Sequence, residues 1–238
     1  MRKGLCHMLQ GDGLLPKDHQ LTVAIQAGGE SKRMGRSKAT VPFLGRPLLM
    51  RLVERVDVIA TQILITTNEP QNLTFLEQMP QYPKIKLCTD VLPYRGSLAG
   101  LLTALTHANN DLMAVCACDM YNVNSRLFAK EYEIAAEGGY DIVVPVSKQG
   151  FEPFHALYHT SACLPVAKDT LDRGLRSMKD LILSPNLKTY QMSMEEVFAI
   201  LPKDGCFANC NTPSELAHAE EHVREEAGSE HIPNGDVQ

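Results

Sequence analysis

The sequence predicts a three-layer α/β/α domain built on a mostly parallel sheet, and three observations carry that expectation. Short apolar segments alternate with segments of helical periodicity along most of the chain. The run LMAVCAC at residues 112–118 is apolar throughout, as a strand covered by helices on both faces must be. The first strand, Val23-Ala24-Ile25, feeds directly into Ala27-Gly28-Gly29, a glycine turn of the kind that follows a buried strand.

The elements follow in order. Gly45-Arg46-Pro47 opens a helix with Pro47 near its first turn, and Leu48, Leu49, Leu52, Val53, Val56 and Ile59 form its apolar stripe. Gln62–Thr66 (QILIT) reads as a strand, 70–79 as a helix and Ile85–Cys88 as a short strand. Residues 97–108 form a second striped helix through Leu98, Leu101, Leu102, Ala104 and Leu105. After the 112–118 strand, 124–136 reads as a helix. Residues 141–146 read as a strand whose far end Pro145 pushes to an edge or a bulge, and 154–159 as another strand. Thr212-Pro213-Ser214-Glu215 is a capping box that starts a last helix, striped by Leu216, Ala219 and Val223 and stopped at Gly228. Residues 1–20 read as an extension, 21–227 as one domain and 228–238 as a polar tail, with no internal repeat.

Composition excludes several classes. At 238 residues the chain buries a sufficient core without disulfide or metal staples. A net charge of −5 argues against a general nucleic-acid or acidic-membrane binder, which needs a cationic footprint. Seven cysteines without a C-x-x-C pair point to free thiols in a reducing cytoplasm. No run approaches the 18 apolar residues of a membrane span.

In an open α/β sheet, ligands sit beyond the carboxyl ends of the strands, so residues just after each strand matter most. Residues 27–38 (AGGESKRMGRSK) join glycines, which let backbone N–H groups approach a phosphate, to the cations Lys32, Arg33, Arg36 and Lys38. The spacing is neither that of a P-loop nor the dinucleotide fingerprint G-x-G-x-x-G, which disfavours ATPase and hydride-transfer chemistry. A solvated basic loop is the plain alternative. Asp119, at the tip of LMAVCAC, offers a hard oxygen ligand for Mg²⁺ on a polyphosphate; its plain alternative is a turn-capping aspartate. Asp90 follows the strand Ile85–Cys88 and faces the same choice. The coincidence of a glycine-cation loop and two aspartates at strand ends favours the ligand-binding reading. His155 and His159 read as satisfied polar residues rather than zinc ligands, and Cys116 and Cys118 as core fillers.

The loop AGG-ESKRMG-RSK followed by PFLGRPLL resembles the signature of nucleotidyltransferases with a sugar-nucleotide-transferase-like fold. Within them it is similar to the molybdenum cofactor guanylyltransferases. Gly96-Ser97-Leu98-Ala99-Gly100, Cys118-Asp119-Met120, Glu152-Pro153-Phe154-His155-Ala156-Leu157-Tyr158 and Asn209-Cys210-Asn211-Thr212-Pro213 extend the resemblance over about residues 21–227. It implies a Rossmann-like nucleotidyltransferase fold and Mg²⁺-dependent transfer of GMP from GTP to the phosphate of molybdenum-molybdopterin, with release of pyrophosphate. By position, Gln26, Ala27 and Gly28 line the guanine and ribose end, with Gly29 in the same turn. Lys38 and Arg33 handle the phosphates, Asn68 and Asp90 complete the nucleotide pocket, Asp119 holds Mg²⁺, and Asn211 helps place the metal or the acceptor. The implied partners are GTP, a molybdopterin-type acceptor and cofactor-handling proteins, for a cytoplasmic monomer or weak homo-oligomer with no nucleic acid or membrane partner. Gln26 stands where leucine is usual, Ser97 where proline is usual, and Tyr121 where proline often follows C-D-M. These departures bear on nucleotide and acceptor choice. Use of CTP, a sugar-phosphate acceptor, or a non-catalytic nucleotide-binding role stays open, although the double glycine favours the guanylyl branch over cytidylyl relatives.

Overall fold

The structure is a computed structural model that describes residues 14–16, 18–28, 38–89, 96–201 and 205–229. In chain order it forms β1 (Leu21–Gln26), the hairpin β2 (Pro42–Phe43) and β3 (Arg46–Pro47), α1 (Leu48–Asp57), β4 (Gln62–Thr66), β5 (Ile85–Cys88), α2 (Ser97–His107) and β6 (Leu112–Ala117). Then come α3 (Ser125–Gly138), β7 (Ile142–Ser147), β8 (Gly150–Phe151), β9 (His155–His159), α4 (Thr160–Asp172), α5 (Met178–Ile182), β10 (Thr189–Ser193), α6 (Met194–Ile200) and α7 (Pro213–Ser229).

The main sheet has the order β5-β4-β1-β6-β9-β7-β10, with β8 paired to β7. The pairs β5–β4, β4–β1, β1–β6 and β7–β10 are parallel, and β9 alone in that path runs against its neighbours. Parallel pairing leaves both faces to be covered by helices, and the pleat divides the side chains accordingly. Val23 and Ile25 of β1 join the core under α1 and α3 with Leu49, Leu52, Val53, Val56 and Phe128. Ala24 faces the opposite core with Leu98, Leu101, Leu105, Ala167 and Leu181 from α2, α4 and α5. The predicted three layers are present.

Local sequence explains most element boundaries. Leu48, Leu49, Leu52, Val53 and Val56 are all buried on one side of α1, each worth about 1.5–3 kcal/mol relative to exposure. The Asn124 side chain accepts from the Arg126 N–H to cap α3, and Gly139 in the left-handed region ends it. The capping box before α7 forms: the Glu215 N–H donates to Thr212 Oγ1 at 3.2 Å, and Glu215 Oε2 accepts from the Asn211 and Thr212 N–H groups at 2.6 and 3.1 Å. That helix continues through Gly228 to Ser229 rather than stopping there. Segment 70–79 also differs from expectation, because Pro70–Gln78 is a 3₁₀ helix with a break at Leu73 rather than a regular helix. Pro145 is only partly as expected. Its strand lies inside the sheet, but β9 pairs β7 only at Ile142 and Val143, and β8 takes over at Val146 and Ser147. The missing proline N–H therefore falls in the gap between two partners. Ahead of β1, His19 Nε2 lies 2.8 Å from the Ile59 carbonyl, tying the end of the N-terminal extension to the domain.

Candidate functional site

The register brings the carboxyl ends of four strands level. Gln26 of β1 stands opposite Thr66 of β4 and Ala117 of β6, and Thr66 stands opposite Cys88 of β5. The stitching continues one residue further: the Ala27 N–H donates to the Thr66 carbonyl, Cys118 N–H to Gln26 and Thr67 N–H to Cys88. Gly28 and Asp119 therefore lie two residues beyond paired positions on neighbouring strands, whose backbones are about 4.8 Å apart. They leave the sheet on the same rim, as a shared nucleotide pocket requires. Asn68, exposed, lies two residues beyond Thr66 on that rim. Gly29, Arg33 and Asp90 lie outside the described residues. Lys38 is described through its backbone alone, which opens the 3₁₀ turn Lys38–Thr40.

The segment after β6 is held from three directions. Asp119 is half-buried in a turn where the Met120 N–H returns to the Ala117 carbonyl at 3.1 Å. The Cys210 N–H donates to the Asp119 carbonyl at 2.9 Å, and Met120 bridges Asn209 in antiparallel fashion. The N-C-N-T-P stretch is thus brought directly against Asp119, with Glu215 holding the Asn211 backbone. From α1, Arg51 Nε donates to the Tyr121 carbonyl at 3.3 Å, while Arg55 reaches the Val123 carbonyl at 2.6 Å and Asn122 Oδ1 at 2.9 Å. Arg51 and Arg55 were not singled out from the sequence; the signal was their i, i+4 spacing on the polar side of an otherwise apolar helix.

His155 is the third clamp, and it has no metal-binding role here. Its ring is fully buried, stacked on Phe128 at 4.0 Å and edge-on to Phe207 at 5.6 Å. Nε2 accepts the Asn124 N–H at 3.2 Å, which leaves the proton on Nδ1, 3.4 Å from Glu131 Oε1. Burial lowers the imidazole to about 3 and raises the equally buried Glu131 carboxyl well above its ordinary range. Both partners are therefore neutral, joined by a hydrogen bond rather than an ion pair. Cys116, also fully buried, has its thiol pushed up, mainly by burial, and so acts as core packing rather than as a thiolate.

On the other side of the rim, α2 begins at Gly96, whose φ of +98° suits glycine, and no side chain caps this end. A cavity of about 390 Å³ opens beside it, between Ser97, the β7–β8 hairpin and Met178-Lys179 at the start of α5. A second, of about 420 Å³, lies at the opposite rim near Gln20 and Asp111. Ligands of open α/β sheets take the carboxyl rim, so the first is the relevant one. No group of three or more His, Cys, Asp or Glu residues suited to a metal is present among the described residues. A Mg²⁺ site does not need one: this cation takes one or two carboxylates and fills its shell with substrate phosphates and water, so the Asp119 carboxylate is a fitting anchor.

The model of the MobA-like NTP transferase domain matches residues 23–185, spanning β1 through α5. The chain belongs to this family. The MobA-like domain here is 32% identical over 198 residues to a probable molybdenum cofactor guanylyltransferase of Carboxydothermus hydrogenoformans, covering 82% of this chain and 92% of the relative. It is 29% identical over 205 residues to the molybdenum cofactor guanylyltransferase of Desulfosudis oleivorans, covering 86% and 96%. Among solved structures, it is similar to the molybdopterin-guanine dinucleotide biosynthesis protein A of Archaeoglobus fulgidus, with a TM-score of 0.72 at 24% identity over 86% and 99% of the two chains. The 4-diphosphocytidyl-2C-methyl-D-erythritol synthase of Anaerococcus prevotii shares the fold at 11% identity, with a TM-score of 0.64 over 86% and 96%. The MobA-like domain is accordingly a nucleotidyltransferase. Among its described residues, no helix is long and apolar enough to cross a membrane.

Proposed function

We propose that this nucleotidyltransferase moves GMP from GTP to the terminal phosphate of molybdenum-molybdopterin. An acceptor phosphate oxygen attacks the α-phosphorus of GTP; a new P–O–P bond forms, the bond to the β-phosphate breaks, and pyrophosphate leaves with the electron pair. The acceptor is already ionised near neutral pH, so no protein nucleophile is needed. The observation that carries the reading is the level placement of Gly28 and Asp119 on paired strands, in a chain whose relatives are named for this reaction.

Two anions must approach each other, and the residues divide that task. Amides of the glycine loop, with Arg33 and Lys38, would hold the triphosphate for in-line attack. Asn68 and Asp90 would complete the nucleoside pocket beyond β4 and β5. Asp119, with Asn211 held beside it, would anchor Mg²⁺, which when bound supplies positive charge to the leaving pyrophosphate. The acceptor's organic part would extend toward the cavity beside Ser97. We place the reaction in the cytoplasm, with no nucleic acid or membrane partner.

The test is incorporation of α-labelled GTP into molybdopterin, with pyrophosphate released in equal amount. Labelled product from GTP and none from CTP or with a sugar phosphate supports the assignment. Nucleotide binding without product would leave a binding protein and refute it.

A further inference from the structure

We propose that the side-chain amide of Gln26 reads the nucleobase, donating from Nε2 to a base carbonyl oxygen and so selecting keto bases over amino bases. The proposal rests on the nucleotidyltransferase reading of this rim and names a determinant of base choice within it.

Gln26 is the last residue of β1, and its side chain falls on the α2 face of the sheet, where Ala24 also packs. The residue is only 8% exposed, yet Nε2 has no hydrogen-bond partner among the described residues. Buried amide groups are paired in the great majority of cases, and an orphan donor at a strand tip on the ligand rim is the kind a ligand completes. The neighbouring helix is built to admit it. A Cβ at Gly100, at the end of the first turn of α2, would stand 2.7 Å from Gln26 Oε1 and 3.1 Å from Cδ, so the amide in this position uses space that a larger residue would contest. The start of the same helix lacks a side-chain cap, and Gly96 brings its backbone to the rim at positive φ.

The chemistry of the group decides the ligand part it meets. A phosphate calls for cations, and the basic residues of the glycine loop supply those. A planar, uncharged amide matches the edge of a heterocycle, as glutamine does when it reads bases in nucleic acids. With Nε2 as donor, a carbonyl such as O6 of guanine completes the pair. With Nε2 facing the ligand, an exocyclic amine at the same place sets donor against donor, which disfavours an amino base.

The test is equilibrium titration of the full chain with GTP, ITP and ATP, comparing wild type with Gln26→Leu. ITP keeps the carbonyl and drops the 2-amino group. Loss of one hydrogen bond should weaken GTP and ITP alike by about tenfold, while ATP, freed of a donor facing its amine, should bind as well as before or more tightly. The ligand-free melting temperature of Gln26→Leu should equal or exceed that of wild type, since the change removes an orphan donor; a lower one would show that the amide is already satisfied, and would overturn the proposal. An unchanged GTP-to-ATP ratio also overturns it and leaves the nucleotidyltransferase reading standing. Equal weakening of all three nucleotides assigns Gln26 a packing role and overturns it too. If wild type binds none of them, this inference and the reading of the rim fail together.

Discussion

The contact between α2 and β1 makes a quantitative prediction at Gly100. A methyl group there would meet Gln26 Oε1 at 2.7 Å and Cδ at 3.1 Å, well inside ordinary contact. Overpacking costs about 1–3 kcal/mol, and because the group met is the far end of a flexible side chain that can give way in part, about 2 kcal/mol is expected here. Alanine also gains about 0.5–1 kcal/mol over glycine in a helix, which offsets part of the cost. Gly100→Ala should therefore destabilise by about 1–2 kcal/mol. In a Gln26→Ala background the obstruction is gone and only the helix gain remains, so the same change should stabilise by about 0.5–1 kcal/mol. The coupling between the two sites is then about 2 kcal/mol, readable by urea denaturation of wild type, both single variants and the double variant. Additivity within about 0.5 kcal/mol, or a stabilising Gly100→Ala in the wild-type background, would refute the packing argument and weaken the case for Gln26 as a constrained group.

Further predictions concern the charges around the rim. Asp119→Asn should reduce nucleotidyl transfer at least a hundredfold in the labelled-GTP assay, as the exchange keeps shape and removes the anionic ligand. His155 is held neutral with a folded value of about 3, against 6.5 when unfolded. The unfolded chain therefore gains a proton that the folded one refuses, and stability falls as pH drops through 6.5 toward 3. Between pH 6.5 and pH 5 that amounts to about 1.6 kcal/mol, and urea titrations should show this slope missing in His155→Phe. Glu131 works in the other direction: its raised folded value means that stability is lost as pH rises above 4.5, where the unfolded carboxyl ionises. Glu131→Gln should thus gain stability over wild type at pH 8 and lose that advantage near pH 4.5; a pH-independent difference would contradict the neutral pair. Glu215→Ala, which frees the Asn211 and Thr212 N–H groups, should cost about 1 kcal/mol in the same denaturation assay.

How far the sequence could be read follows from where its physical signals are strong. β1, β4, β6, α1 and α2 were legible because each buries a continuous run or a one-sided stripe, and the parallel order of the strands followed from the need to cover both faces. The stretch from Thr160 to Ile200 was silent for reasons visible in the structure. α4 carries Pro165, which masks its helical pattern, and β10 is a polar edge strand, TYQMS, with no alternation. Its start signals were present: Ser177 with Asp180 and Ser193 with Glu196 both form capping boxes. Within the site, Gly28 and Asp119 could be placed because they follow strands, whereas Asn68 came only from the family resemblance. The His155–Glu131 pair could not, since its partners are 24 residues apart and meet only through the antiparallel β9 lying beside α3. Gln26 was legible as a departure from its family's usual leucine, but the burial of its Nε2 without a partner among the described residues is a three-dimensional fact.

The most direct measurement of the central claim is the position of a bound, non-hydrolysable GTP analogue with Mg²⁺ in an experimental structure of the full chain. The triphosphate should lie between the turn beginning at Ala27-Gly28 and the Asp119 carboxylate, with the base toward Gln26 and the first turns of α2. Density for the nucleotide at the opposite rim, near Gln20 and Asp111, would contradict the account.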